Sequence, residues 1–149
     1  MKFAATLSLL ATLAAQAYCQ EVVTFQAKGQ DLALTAPQQP GEAVSFSKRD
    51  GQHAQLWQEI YHGSQLFAYQ SVANGDFINC GDRDGICRTL EEPQIFEKFH
   101  EGPDVYFSYN GFSGLLQRTN SSQLKLARPT SDFIEDNQLF TLQPASQCK

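Results

Sequence analysis

The cysteines are the residues whose type and spacing indicate chemistry most directly. The chain has four of them: Cys19, Cys80, Cys87 and Cys148. Four cysteines can form two disulfides in three possible connectivities. Cys80 and Cys87 flank the segment GDRDGI, in which Asp84-Gly85 is a strong signal for a tight turn, so a hairpin would bring these two thiols together. By exclusion, Cys19 would then bond to Cys148.

A metal site is the alternative use of the same thiols. It would need thiolates and imidazoles clustered at ligand spacing. The three histidines lie near none of the cysteines in the sequence; they are His53, His62 and His100. We therefore expect two disulfides, no bound metal and no cofactor.

Two short motifs resemble catalytic or ion-binding sequences without completing them. Ser113 in GFSG lacks the G-x-S-x-G spacing of a nucleophile elbow, and no His or Asp can be assigned to it. Asp82 and Asp84 resemble the start of a calcium loop, but the remaining ligands and the distal Glu are missing. A solvated turn explains these two carboxylates better. We expect no catalytic residue and no enzyme activity.

The first residues predict export from the cell. Lys2 gives a short positive start, FAATLSLLATLAA is an apolar segment too short to cross a bilayer with ease, and Ala15-Gln16-Ala17 has the small-x-small pattern of a signal peptidase site. We expect a signal peptide at 1–17 and a secreted, extracellular domain at 18–149. A membrane anchor is the alternative. An oxidising secretory route would allow both disulfides to form.

The charge of the chain disfavours one class of partner. The sequence has 11 Lys and Arg against 16 Asp and Glu, and removal of Lys2 with the signal peptide leaves 10 against 16, a formal charge of −6. Such an acidic surface is a poor partner for a phosphate backbone, so we expect no nucleic acid. Acidity at this level mainly maintains solubility. We expect a soluble monomer that does not insert into membranes.

Short β-rich runs, separated by Gly, Pro, Asn and Asp clusters, fill the rest of the chain. They predict twelve strands, at residues 22–27, 31–36, 43–48, 55–60, 66–72, 76–80, 86–90, 94–99, 104–110, 115–119, 123–128 and 138–143. The strands fall into three groups of four, which define repeats of about 22–60, 66–99 and 104–143. The fold class is therefore all-β.

Each group ends on the same triplet of Gln, aliphatic and aromatic residues. The motif residues are Gln55 and Trp57, Gln94 and Phe96, and Gln138 and Phe140. The glutamines are 39 and 44 residues apart, a period typical of repeated supersecondary units. We expect Gln and aromatic to share one face of the fourth strand, where the ring enters a common core and the Gln amide satisfies nearby backbone groups. A threefold repeat of four strands that closes a barrel and caps it with hairpins is a β-trefoil.

These triplets resemble the signature of the ricin B-chain-like β-trefoil family, a Gln-x-Trp near the end of each repeat. QLW at 55–57 keeps the Trp, whereas Phe96 and Phe140 replace it in the other two repeats. The resemblance extends over nearly all of the chain that follows the signal peptide. It implies that the first and last strands are neighbours, which suits a bond between Cys19 and Cys148.

The resemblance also implies where a sugar would bind. In the family's sugar-binding repeats, a carboxylate on the second strand and an Asn before the Gln-x-Trp hold two hydroxyls, while a ring covers the apolar face of the pyranose. The carboxylate position falls on Ala33, Asn79 and Gln117, so no repeat keeps the acid. The third repeat alone has the Asn, at Asn137. The implied site therefore consists of Asn137 and Gln117, with Phe112 as the covering ring.

Two aromatic clusters could instead serve a different ligand. One surrounds NGF at 110–112, and the other lies near the junction of the first two repeats; their members are Tyr106, Tyr109 and Phe112, and Tyr61, Phe67 and Tyr69. Aromatics that alternate along strands more often fill a core or cover ordinary sheet surface. We expect the core to account for most of them.

Together these features predict a non-catalytic, lectin-like protein that binds an extracellular glycan. The alternative is a trefoil that binds a host or extracellular protein, such as a protease inhibitor or a host-directed effector. Its presenting loops would be 36–42, 80–87 and 128–136. Asn120-Ser121-Ser122 is a glycosylation sequon at an expected hairpin tip, which makes Asn120 the predicted attachment site of a glycan.

Overall fold

The computed structural model describes residues 21–82 and 85–145 and contains all twelve predicted strands. They are β1 (Val22–Ala27), β2 (Leu32–Thr35), β3 (Ser45–Lys48), β4 (Trp57–Tyr61), β5 (Leu66–Ser71), β6 (Phe77–Asn79), β7 (Arg88–Leu90), β8 (Phe96–Glu101), β9 (Asp104–Tyr109), β10 (Gly114–Arg118), β11 (Leu124–Ala127) and β12 (Phe140–Pro144). Every predicted boundary lies within two residues of the observed one. The all-β prediction is confirmed.

Six of the strands close a barrel. Around the ring the antiparallel pairs are β1 with β4, β4 with β5, β5 with β8, β8 with β9, β9 with β12, and β12 with β1. The remaining strands form three hairpins, β2–β3, β6–β7 and β10–β11. Because each barrel strand has a partner on both sides, the ring has no exposed sheet edge. This topology confirms the predicted β-trefoil.

The three hairpins are joined around an approximate threefold axis. Val44 N donates to Cys87 O at 2.9 Å, Cys87 N donates to Leu124 O at 2.8 Å, and Leu124 N donates to Val44 O at 3.1 Å. The three residues come from successive repeats and are 0–1% exposed. A closed cycle of backbone hydrogen bonds therefore ties the repeats together at the cap, where no solvent could satisfy those groups.

Aromatic rings fill the barrel with the same threefold pattern. Phe25, Tyr69 and Phe107, from the first strand of each repeat, form a triangle with ring centroids 4.7–5.4 Å apart. The rings of the three triplets, Trp57, Phe96 and Phe140, are 0–1% exposed. Edge-to-face and tilted contacts at these distances stabilise a core beyond the burial of area alone. The predicted core role of the triplet rings is what the structure shows.

The triplet glutamines lie before the fourth strand of each repeat and not, as had been expected, on it. Gln55 and Gln138 end short 3-10 turns, His53–Gln55 and Asp136–Gln138, and the fourth strand of each repeat begins at the aromatic residue. The prediction that Gln and ring share a strand face is therefore wrong. The reason is that the amide serves the loop: Gln94 Oε1 accepts from Cys80 N at 2.6 Å and Gln94 Nε2 donates to Gly81 O at 2.8 Å.

One predicted disulfide is present, and the other lies outside the described residues. Cys80 and Cys87 are bonded, with their Cα atoms 3.9 Å apart. At the chain ends, Ala145 N donates to Val22 O at 2.7 Å, so the first and last described residues are neighbours. Cys19 and Cys148, like the predicted signal peptide, fall outside 21–145. No helix within the described ranges is long and apolar enough to span a membrane.

Candidate functional site

The turn that ends the third repeat is held from both sides and carries the implied sugar-site Asn. Glu135 N donates to Gln138 Oε1 at 2.9 Å, which closes a capping box over the turn Asp136–Gln138. On the outside, Lys28 Nζ contacts Asp136 Oδ1 at 2.9 Å, and this hydrogen bond raises the pKa of Lys28. The middle residue, Asn137, is thus presented by a turn fixed at its two ends.

Two amide side chains meet beside this turn. Gln138 Nε2 donates to Gln117 Oε1 at 3.3 Å, and Gln117 is half-buried on β10. Asn137 Oδ1 is buried without a hydrogen-bond partner among the described residues. This oxygen is therefore a polar atom that the described turn leaves unused.

The third implied residue, Phe112, lies in the β9–β10 turn. Its φ of 67° is in the left-handed region, which costs a bulky side chain on the order of 1 kcal/mol. The ring stacks on Phe99, with centroids 5.2 Å apart, and lies 6.4 Å from the ring of Tyr106. It nevertheless remains 45% exposed. A strained turn therefore holds an exposed ring against a rigid aromatic support.

Phe112 faces a groove of about 600 Å³, which we call the aromatic groove. Its lining comes from the β8–β9 hairpin, the β9–β10 turn and the loop before the last 3-10 turn: Glu101, Tyr106, Phe112, Leu115, Pro129, Ser131, Asp132, Phe133 and Ile134. Phe133 is 81% exposed. The sequence analysis did not single out Phe133, although a lone aromatic in the polar loop RPTSDFIED was the available signal.

The three implied sugar-site residues lie on the same side of the third repeat but do not line one pocket. Leu115 lines the aromatic groove, and Gln117, two residues further along β10, projects from the same face of that strand. Gln117 and Asn137 are not among the residues that line the groove. The structure therefore places a polar pair of amides beside an aromatic groove, and a ligand of more than one sugar ring would be needed to contact both.

The other two repeats use the equivalent positions internally. Ala33, at the carboxylate position of the first repeat, is 0% exposed. Asn79, its counterpart in the second repeat, donates from Nδ2 to Glu92 O at 3.1 Å and accepts from Gly81 N at 3.0 Å. These contacts consume the amide in shaping its own loop. Ala33 offers no polar side chain to a ligand, and the Asn79 amide already has one donor and one acceptor bond within its own loop.

A second cleft, of about 920 Å³, lies between the second and third repeats. Polar residues dominate it, among them Asp82, Tyr109, Asn110 and Arg128. Ser113 also lines this cleft, and its hydroxyl donates to Tyr109 O at 2.9 Å within the β9–β10 turn. That bond gives Ser113 a turn-stabilising role. Asp84, the other candidate calcium ligand, lies outside the described residues.

The one buried ion pair among the described residues is structural. Lys98 Nζ lies 2.7 Å from Glu59 Oε1 and 4.0 Å from the centre of the Phe67 ring, while Tyr69 OH donates to Glu59 Oε2 at 2.7 Å. Burial, reinforced by the Glu59 carboxylate, raises the pKa of Tyr69 well above its usual value. These groups satisfy one another at one end of the barrel. In the described ranges, no three His, Cys, Asp or Glu side chains are grouped as metal ligands would be.

The predicted glycosylation site lies where a hairpin tip was expected. Asn120 is exposed in the turn between β10 and β11, which is closed by a hydrogen bond from Ser122 N to Thr119 O at 3.0 Å. An exposed tip is accessible to a glycosyltransferase. Its use remains a prediction.

Comparison with solved structures agrees with the β-trefoil fold described above. The Rhizoctonia solani agglutinin superposes with a TM-score of 0.73 at 13% identity, over 95% of this chain and 100% of that one. The Macrolepiota procera ricin B-like lectin in complex with lactose gives 0.70 at 8% identity, over 81% and 93%. The designed three-fold symmetric protein ThreeFoil gives 0.71 at 13%, over 81% and 96%. No protein-family model and no curated protein sequence matches this chain.

Proposed function

We propose that this protein is a non-catalytic, lectin-like binder of extracellular carbohydrate and that its third repeat carries the site. The observation that carries the proposal is the exposed ring of Phe112, held at a left-handed φ on an aromatic support beside amides that the backbone does not fully use. A pyranose has an apolar C–H face and an edge of hydroxyls. Such a ring stacks on an aromatic side chain while amides and carboxylates hold its hydroxyls.

In this proposal the apolar and polar contacts come from adjacent parts of the third repeat. Phe112 and Phe133 cover the face of one sugar, and Gln117 and Asn137 bond hydroxyls of a linked sugar. Without a carboxylate at Gln117 the site lacks one charge-assisted hydrogen bond, worth about 1.5–3 kcal/mol. Monovalent affinity is therefore expected near or above the millimolar range, on the order of 4 kcal/mol of binding free energy.

The experiment is retention of purified protein on immobilised glycans, beginning with lactose, the ligand in the Macrolepiota procera complex. The informative variant is Phe112→Gly, because Gly adopts a φ of 67° without strain and so keeps the turn while removing the ring. We expect retention to be lost and the fold to be kept. Tyr61→Ala is the matched control, since Tyr61 is 63% exposed but lies on β4, away from the third repeat. Equal retention of the wild type and Phe112→Gly would refute the site.

The protein-binding alternative makes the opposite prediction. An inhibitor or effector would show no glycan retention in the wild type, and a protease in a test panel would lose activity on addition of the protein. Activity would return on changing the presenting loop, for example at 36–42 or at Arg83. The two functions are thus separated by one pair of assays on the same preparation.

We further propose that the chain is secreted as a disulfide-stapled monomer after cleavage of residues 1–17, with a second bridge between Cys19 and Cys148 and a glycan on Asn120. The neighbouring ends of β1 and β12 support the bridge. Peptide mapping of unreduced protein produced in a eukaryotic host tests the second bridge and the glycan. A Cys19 peptide joined to Cys80 or Cys87, or an Asn120 peptide of unmodified mass, would contradict them.

A further inference from the structure

The aromatic groove has an acidic character that the proposed function does not require. Two carboxylates, Glu101 and Asp132, line it from different chain segments, one on the β8–β9 hairpin and one on the loop before the last 3-10 turn. No Lys, Arg or His is among its lining residues. Neither carboxylate forms an ion pair with another described residue. The groove therefore presents two carboxylates beside exposed rings, and the charge of Glu101 is partly offset by Lys28 outside the groove.

The exposed ring of Phe112 is supported by two further aromatic rings. Phe112 is stacked on Phe99 at an interplanar angle of 28°, and Phe99 is stacked in turn on Tyr106 at 18°. This layered support fixes the exposed face of Phe112 toward the groove. Large exposed apolar side chains that are rigid and grouped mark a surface that another molecule covers.

Rings and carboxylates together favour a particular kind of sugar. A neutral sugar would use the rings for its C–H face and the carboxylates only as acceptors of hydroxyl hydrogen bonds. A sugar with a protonated amine would gain a charge-assisted hydrogen bond to a carboxylate and a cation–π contact with a ring. An N-acetylated sugar has lost that charge and gains neither.

We propose that the aromatic groove selects sugars that carry a free amine, such as the glucosamine units of de-N-acetylated chitin. The proposal rests on the carbohydrate-binding function above and names the ligand class of its site. Two separate carboxylates in one groove suit an oligomer, whose successive amines can each meet one of them. Selectivity then depends on Glu101 and Asp132, while general affinity for sugar rings depends on Phe112 and Phe133.

The test compares a glucosamine tetramer with the matching N-acetylglucosamine tetramer by titration calorimetry at low salt. We expect the free amine to bind at least about tenfold more tightly, in line with one added charge-assisted bond. Asp132→Asn and Glu101→Gln should each reduce that ratio, and the double variant should remove it. The matched control is Glu91→Gln, which changes an exposed acid outside the groove and should leave the ratio unchanged.

The other possible outcomes distinguish amine selection from carbohydrate binding in general. Equal affinity for both tetramers, unchanged in Asp132→Asn, would overturn amine selection and leave carbohydrate binding standing. Absence of binding to either tetramer and to the glycans used above would overturn both. Equal binding of a lysine tetramer would also overturn the proposal, because it would show charge attraction without recognition of a sugar. Phe133→Ala should weaken both sugars equally and leave the ratio intact.

Discussion

The first and third repeats end on the same triplet but use its Gln differently. Gln55 Oε1 accepts from Asp50 N at 2.9 Å and Gly51 N at 3.3 Å. Its Nε2 donates to Lys48 O at 2.9 Å and to the hydroxyls of Ser47 and Thr35 at 3.1 and 3.3 Å. Gln138 Oε1 accepts from one backbone N–H, and its Nε2 contacts another side chain, that of Gln117. In the first repeat the Gln55 amide is therefore used to close a loop. In the third repeat the amides of Gln138 and Gln117 lie together beside the turn.

The residue before the triplet Gln also differs between these two repeats. In the first repeat it is Ala54, which has no polar side chain to offer a ligand, and in the third it is Asn137. The second-strand positions differ likewise, with a fully buried Ala33 against a half-buried Gln117. The first repeat thus keeps its structural role without the polar groups that the proposed site requires. Fold and binding are separable within one motif, which mutations in the two repeats can test.

The largest expected effect is on the shared core. Trp57→Ala should lower the free energy of unfolding by about 3–5 kcal/mol, and Phe140→Ala by a similar amount, since both rings are fully buried and the repeats share one core. Trp57 also loses the bond from its Nε1 to Leu34 O at 3.0 Å. Chemical denaturation measures the loss of unfolding free energy in both variants. A midpoint for Trp57→Ala within a degree or two of wild type in a thermal scan would contradict the assigned core.

The second repeat supplies an internal control for the comparison. Replacement of Cys80 and Cys87 by Ala removes a bridge that closes an eight-residue loop, which the chain-entropy relation values at about 2.5 kcal/mol. Cys87 also takes part in the backbone cycle at the cap. We expect the variant to be less stable, and we expect its glycan affinity per folded molecule to be unchanged. Loss of affinity in fully folded protein would mean that the second repeat contributes to the site.

Gln55→Ala should cost more than Gln138→Ala. The first change leaves two backbone N–H groups and one carbonyl of a loop without their partner, and we expect a loss of about 2–3 kcal/mol. The second removes one backbone bond and one bond between side chains, and we expect about 1 kcal/mol. Urea unfolding of the two variants in parallel gives the difference directly. Equal losses would mean that the two turns are equivalent.

The fold could be predicted from the sequence to a far greater extent than the site. Alternating β-rich runs and the three triplets predicted all twelve strands, because burial of one strand face and closure of a barrel impose a period that a sequence displays. The displacement of Gln55 into a 3-10 turn was missed, since the bonds of a side-chain amide to a loop leave no periodic trace. The aromatic groove was missed for a related reason. It joins Glu101 to Phe133 across three chain segments, and such a juxtaposition exists only once the chain is folded.

Asn137→Ala should change stability least among these variants and yet clearly reduce binding. Asn137→Ala removes a buried oxygen that has no partner in the described structure, so its unfolding free energy should stay within about 0.5 kcal/mol of wild type. Retention on glycan should nevertheless fall, because the amide is one of the polar groups assigned to the sugar. The reciprocal variant Ala54→Asn places the same side chain before Gln55. It should confer no retention on a Phe112→Gly background, since Ala33 and the saturated amide of Gln55 offer the sugar nothing further. Retention gained by that double variant would show that the Asn alone defines a site, and the contrast between the two repeats would then rest on a single residue.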